Sequence, residues 1–590
     1  MTWLWAAAAA LPVAWAVALA GAASGTGERR RTLRRRLLRT SLLSLAPALA
    51  LAVLGPAAGP LDLPWAFLGV TAELDDVGRP LLLVAVVLYG AALAATADSR
   101  THRKAVLGAL LLVCFVGNAT VLVAADAATF YLGYALMSIP AYGLVVHERT
   151  DAARRAGRAY LVLTLVSEMA VLAGVLLVVL AGGMRLADAP AAVAGSPHLG
   201  VTVGLLLLGF GIKAGLAPLH VWLPVAHPAA PPPASAVLSG AMIKAGLVGW
   251  LRFLPLGEVA LPGWGTLLVV LALLGAFGVL VPGVLTADPK VALAYSSVSQ
   301  MGFIGVLVGV ALLEPTLAEA CVLAAVVYAV HHGAAKGGLF LSVTVWRFHG
   351  RGRLRVPLLA GMALLALAVA GAPLGSGSVA KYAAKQALEP STFDVVDLVA
   401  TLPLVGTVST LLLARAAVRL LPSTPADAWG VDASVLTWAV LVVGGTVATW
   451  ALAGLWAPVV ATPGLDPVTT WDATWPVLLG LALTALAVAA SRRDLLPRAL
   501  AHPDGTLVPA GDVLVPAERA AAAALRVADR AARATGRTRD RAAARARAVL
   551  ARAPVGPVDR LEDLLSAWVP AGAAVLVVAG LVGLVLGGAP

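Results

Sequence analysis

Apolar runs of about twenty residues recur along most of the chain, and the arginines collect in the short segments between them. A helix of that length crosses the hydrocarbon core of a bilayer and satisfies its own backbone hydrogen bonds there. The fold class that follows is an all-α polytopic membrane protein. A chain of 590 residues that is 60% hydrophobic and only 13% charged fits no soluble domain. Its net charge of +12 could suggest nucleic acid. The basic residues instead sit in loops, which is the pattern that orients membrane proteins, so no nucleic-acid partner is expected. The two cysteines, Cys114 and Cys321, lie inside apolar runs, and no CxxC pair or phosphate-binding P-loop occurs. Two thiols cannot by themselves hold an iron–sulfur cluster. No cofactor and no metal site are expected, and any redox or ATP chemistry belongs to partner chains.

Residues 2–22 are apolar and are followed by ERRRTLRRR at 28–36. A secretory signal carries its charge before the apolar core, so a retained first helix is expected, amino terminus outside and arginine loop inside. Further spans are expected near 37–57, 80–97, 105–125, 128–147 and 159–182, with basic internal loops at 98–104 and 148–158. The next fall near 199–223, 235–254 and 264–282, then a tenth with Lys290 at its internal mouth. Others follow near 318–346, 358–388 (interrupted by GAPLGSGS at 371–378), 396–421, 432–456 and 474–491. A final span at 566–587 brings the total to about sixteen, and every basic loop falls on one side. Residues 515–553 are mostly Ala and Arg and are expected to form a long helix along the headgroup level.

The stretch 209–253 places Lys213 and Lys244 in two apolar segments, with His220 and His227 between them. A lysine at the bilayer centre costs about 2.5–3.5 kcal/mol on insertion scales. Pro218 follows Lys213 by five residues and removes a helix donor. An interrupted helix beside an ionisable group is how transporters build ion sites. Snorkelling from helix ends is the alternative for both lysines. Glu168, His332, Lys336 and Lys381 lie inside other spans, and Lys385 one turn beyond Lys381. Lysine, histidine and carboxylate along a bundle interior are what a proton relay needs. His332 and Lys336 are four apart and share a helix face, whereas His331 points about 100° away and reads as a packing or interface residue.

The segments GIKAGLAPLHVWLP, AHPAAPPPASAVLSGAMIKAGLVGWLRF, DPKVALAYSSVSQMGF and HGAAKGGLFL resemble the antiporter-like subunits of respiratory complex I. Relatives of those subunits, which the segments also resemble, include energy-converting hydrogenases of the hydrogenase-4 and formate-hydrogenlyase type and Mrp-type cation/proton antiporters. The likeness covers roughly 105–390, and AHPAAP…SGAMIK most resembles the large hydrogenase-4-type subunit. It implies two inverted five-helix repeats with interrupted helices seven and twelve, at 105–254 and 255–421. Three helices in 1–104 would precede them and two in 422–491 would follow, then the lateral amphipathic helix at 515–553 and the span at 566–587. The family's central lysines match Lys213, Lys244 and Lys336, and its helix-twelve lysine or glutamate matches Lys381. Its two helix-eleven histidines fall at Tyr328 and His332, so only the second is kept. Its helix-five glutamate falls at Ala135, which leaves Lys213 without the usual counter-ion; Glu168 on the next helix is the candidate substitute.

The resemblance implies translocation of an ion, protons first and sodium as the alternative, in the inner (plasma) membrane beside other membrane subunits. The path would use Glu168, Lys213, Lys244, His332, Lys336 and Lys381, with His220, His227, Lys290 and Lys385 secondary. The chain would have no catalytic centre of its own, and would serve an NADH–quinone or hydrogenase-type oxidoreductase. An Mrp-type antiporter subunit is one alternative. A degenerate scaffold, or a subunit of proton-coupled inorganic-carbon uptake, is another, and Ala135 is what favours it.

Overall fold

The computed structural model describes residues 2–526 apart from 24–26, 67, 100, 424–429, 456–458, 502, 506, 514, 517–518, 521–522 and 524–525. The span expected at 566–587, and all but the start of 515–553, lie outside the described residues. Fifteen candidate membrane spans are present among those described. Spans 1 to 5 are Thr2–Ala23, Glu28–Ala58, Gly78–Asp98, Lys104–Val123 and Ala127–Val145. Spans 6 to 10 are Asp151–Leu180, Leu199–Ala229, Pro232–Phe253, Pro262–Val284 and Pro289–Leu313. Span 11 is Pro315–His349, and span 12 is Gly352–Ala370 continued after a break by Ser376–Leu388. Spans 13 to 15 are Leu398–Leu420, Ala433–Leu455 and Pro467–Arg492.

Three boundaries differ from expectation. The arginine run 28–36, expected as a loop, is helical from Glu28 and opens span 2. Arginine and leucine are good helix formers, and Glu28 suits the positive end of the helix dipole. Span 6 starts at Asp151, where Thr150 accepts a hydrogen bond from the Ala153 amide, so most of the basic segment 148–158 is helix. The proline-rich turn contracts to Ala230 and Pro231, because Pro232 and Pro233 occupy a first helical turn, where proline is tolerated.

Spans 8 and 10 form the centre, with 94% of an apolar 18-residue stretch of each buried, whereas spans 1 and 15 are peripheral at 22% and 17%. A helix enclosed on all sides can hold polar groups away from lipid. Spans 8 and 11 approach through glycines: a Cβ on Gly240 would lie 2.8 Å from the Gly333 carbonyl oxygen. The face opposite the arginines is closed by a short ribbon, β1 (Leu61–Leu63) paired antiparallel with β2 (Val70–Ala72). Asp126 accepts hydrogen bonds from Thr71 and from the Thr129 amide that opens span 5, and Arg252 at the end of span 8 pairs with Asp75 at 2.8 Å.

Candidate ion-translocation axis

Span 7 breaks after Ala214, where Gly215 takes the left-handed conformation at φ 75°, and helix resumes through a short turn to Trp222–Ala229. Pro218 sits in that break, as its chemistry requires. The Trp222 indole donates across it to the Ile212 carbonyl at 2.7 Å. Lys213 is thereby held at a helix end in the bundle interior, 4% exposed. Its Nζ donates to the Ser138 hydroxyl at 2.9 Å and lies 5.7 and 5.9 Å from the rings of Tyr134 and Tyr160. Glu168 on span 6 is buried, within electrostatic reach of Lys213 and beside Ser138, though neither carboxylate oxygen makes a full hydrogen bond among the described residues.

Span 8 has a wide π turn at Leu238–Met242, directly before Lys244. Such turns release backbone carbonyls and cluster at functional sites. The freed Ser239 carbonyl accepts from Lys244 Nζ at 2.8 Å, and the same nitrogen lies 2.7 Å from His332 Nδ1. If the ammonium donates, Nδ1 is the acceptor and the imidazole hydrogen sits on Nε2, which has no partner among the described residues. Lys336, one turn beyond His332, donates to the Leu293 carbonyl at 3.0 Å. The Ser297 hydroxyl bonds that carbonyl at 3.1 Å and the Ser239 hydroxyl at 2.7 Å. Lys244 and Lys336 are thus joined through the Ser239–Ser297 pair, and His332 lies within electrostatic reach of both.

His227 stacks on Phe340 with centroids 4.4 Å apart, between Lys336 and Lys290. Lys290 donates to the Pro228 and Ala230 carbonyls, each at 2.8 Å, at the arginine-rich face. His220 pairs with Asp512, on the segment after span 15, at 3.0 Å.

Span 12 breaks at Gly371, φ 92°. Lys381 Nζ donates to the freed Ala370 carbonyl at 2.6 Å. A cavity of about 80 Å³ runs from Lys381 to Lys385 and Asp472, which pair at 2.6 Å near the opposite face. That volume holds a few waters. His331 Nδ1 lies 2.8 Å from the Ser376 hydroxyl, at the start of the second half of span 12. It sits at the interface of spans 11 and 12 and joins them through a polar contact. Sequence reasoning missed Gln300, which accepts from Tyr328 at 2.9 Å and donates to Ser409 at 2.8 Å. A glutamine inside the apolar span 10 was the available signal.

Two broken helices and a row of buried cations through the bundle define a polytopic membrane protein of the transporter type. The profile described as NADH:quinone oxidoreductase/Mrp antiporter, TM matches residues 124–384. NADH-quinone oxidoreductase subunit N of Heliobacterium modesticaldum is 30% identical over 325 residues, 52% of this chain and 68% of that protein. The chain belongs to this family of antiporter-like membrane subunits. Hydrogenase-4 component B of Escherichia coli is 30% identical over 354 residues, 55% of this chain and 52% of its own length. Uncharacterized protein Rv0083 of Mycobacterium tuberculosis is 35% identical over 305 residues, 48% and 45% respectively. The match spans about half the length of these last two relatives. The Mrp complex structure from Dietzia sp. DQ12-45-1b has a TM-score of 0.64 at 22% identity, over 93% of this chain and 63% of that one. The membrane-bound sulfane sulfur reductase, an archaeal respiratory membrane complex, gives 0.61 at 18%, over 81% and 99%. Both share the fold.

Proposed function

We propose that this chain carries protons across the plasma membrane as one subunit of a larger membrane complex, with the buried lysines and histidines as its path. The observation that carries this reading is the 2.7 Å contact between Lys244 and His332, backed by the serine route to Lys336. A lysine and an imidazole in contact can exchange a proton without moving a heavy atom far. His227 and Lys290 would lead from Lys336 to the arginine-rich side. Lys381, the cavity and the Lys385–Asp472 pair would lead to the other side. Spans 4–8 and 9–13 would form the two inverted repeats around the axis, in keeping with the breaks in spans 7 and 12.

The test uses the whole complex in sealed vesicles. Lys336→Ala and Lys381→Ala each abolish coupled proton movement while the complex still assembles, and Lys385→Ala is milder. Normal pumping in both of the first two variants overturns the assignment. Ala135 supports a second reading, in which the half around Lys213 no longer conducts and the chain serves as a scaffold or a coupling element there; Lys213→Ala would then pump normally. A sodium-dependent signal in the same vesicles would replace the proton by sodium.

A further inference from the structure

An apolar groove lies between spans 2, 3 and 14, in the half of the bundle nearest the arginine-rich face. Leu42, Leu43, Leu49, Val86, Val87 and Val440 line it, and its cavity volume is about 310 Å³. Leu43, Leu49 and Val440 are exposed. Gly90 forms part of the floor, and a Cβ there would meet nothing within 4 Å. The floor is therefore open space, not tight packing. Span 2 enters this groove straight from the helical run that holds Arg29, Arg30, Arg31, Arg34, Arg35, Arg36 and Arg39. Arg35, Arg36 and Arg39 precede Leu42 by three to seven residues, about 4–11 Å along a helix axis. Lys104 lies within electrostatic reach of Arg34, Arg35 and Arg39, so the cluster gains charge from span 4. Asp98 offsets part of it. Among the described residues none of these seven arginines has a carboxylate at ion-pair distance.

We infer that the groove holds one anionic glycerophospholipid, its phosphate against Arg35, Arg36 and Arg39 and an acyl chain across Gly90. Uncompensated cations at the headgroup level attract anionic lipid, and basic pockets between spans on this side select such headgroups. A zwitterionic lipid fills the groove equally well but leaves the arginines uncompensated. A helix from a partner subunit would need carboxylates at the same level.

The intact complex is delipidated, incubated with dioleoylphosphatidylglycerol or dioleoylphosphatidylcholine, and examined by native mass spectrometry. The anionic lipid stays bound through washing and the zwitterionic one does not. The triple variant Arg35→Gln, Arg36→Gln, Arg39→Gln lowers retention about tenfold or more. Gly90→Leu, which enters open space, lowers it as far, with the thermal midpoint of the delipidated complex unchanged. Equal retention of the two lipids overturns the inference. So does wild-type retention in Gly90→Leu, which would mean a diffuse electrostatic shell. A benzoylphenylalanine placed at Leu43 that crosslinks to a partner subunit instead of lipid makes the groove a subunit interface and also overturns it.

Discussion

Ser138 stands one helical turn from Ala135 on span 5 and takes the hydrogen bond of Lys213 that a carboxylate would otherwise receive. The site keeps a neutral acceptor beside the lysine, and Glu168 on the next span is a carboxylate within electrostatic reach of it. Ser138→Ala deprives a buried cationic nitrogen of its acceptor, at a cost of about 1–3 kcal/mol. The thermal midpoint of the purified complex should fall for Ser138→Ala and be largely kept by Ser138→Thr. An unchanged midpoint in the alanine variant would show that Lys213 has another acceptor. Glu168→Gln removes that carboxylate, and proton uptake by vesicles should drop if it serves Lys213 in place of a span-5 acid. Ala135→Glu, combined with it, puts a carboxylate back on span 5 and should restore part of the uptake. Unchanged uptake in Glu168→Gln would place Glu168 outside the path. The lysines were legible because an ionisable group in an apolar run is costly and therefore conspicuous. Ser138 was not, because a serine in a membrane helix is common and its partner lies 75 residues away.

At the scale of elements, the breaks in spans 7 and 12 were legible from local chemistry. Proline removes a donor, and glycine alone takes the left-handed turn at Gly215 and Gly371 without strain. The π turn of span 8 was not, since LSGAM contains no proline and its one glycine is common in such helices. It arises where spans 8 and 11 press together at Gly240 and Gly333. The partner of His331 was hidden for a related reason. A helix enclosed all round meets neighbours in several directions, and a 100° offset from His332 does not say that the neighbour is Ser376 of span 12. Span 14 supplies the pH-dependent element. Asp432 precedes it, accepts from the Ser434 hydroxyl at 2.7 Å and the Val435 amide at 3.1 Å, and pairs with His349 at the end of span 11 at 3.3 Å. Burial raises its carboxyl, but the bonds from His349, Ser434 and Val435 outweigh that and hold it at about 2. The ordinary carboxylate value is about 3.9. The folded value is the lower one, so this contribution is complete above about pH 4 and is lost as pH falls through about 2. Asp432→Asn keeps a capping side chain but removes the charge. Its thermal midpoint should lie below wild type near neutral pH and converge on it as the pH falls from about 4 toward 2. A constant gap across that window would show that the Asp432 charge does not anchor the two spans.

Across the whole molecule, the span count and order through residue 492 were legible because bilayer thickness fixes helix length independently of any partner. What the sequence hid is long-range return. The segment after span 15 folds back under the bundle, where Arg415 donates to the Pro503 carbonyl at 2.8 Å and Asp512 reaches His220 across 292 residues. No periodicity marks such a contact, so the Asp512 partner of His220 could not be read from the sequence. Sidedness follows from parity. Trp65 lies between spans 2 and 3, and Arg351 between spans 11 and 12; odd-numbered separation places them on opposite faces. Trp65 is 67% exposed and Arg351 is exposed. Cys114 and Cys321 are both buried, so they leave a quiet background for thiol labelling. With an impermeant maleimide on intact cells, Trp65→Cys should label at once, on the external face. Arg351→Cys should label only after the membrane is opened, since the arginine-rich face is retained inside. Labelling of both from one side would mean that a segment between them fails to cross. Labelling of Arg351→Cys alone in intact cells would invert the whole protein, and with it the direction in which Lys290 and the Lys385–Asp472 pair face the two compartments.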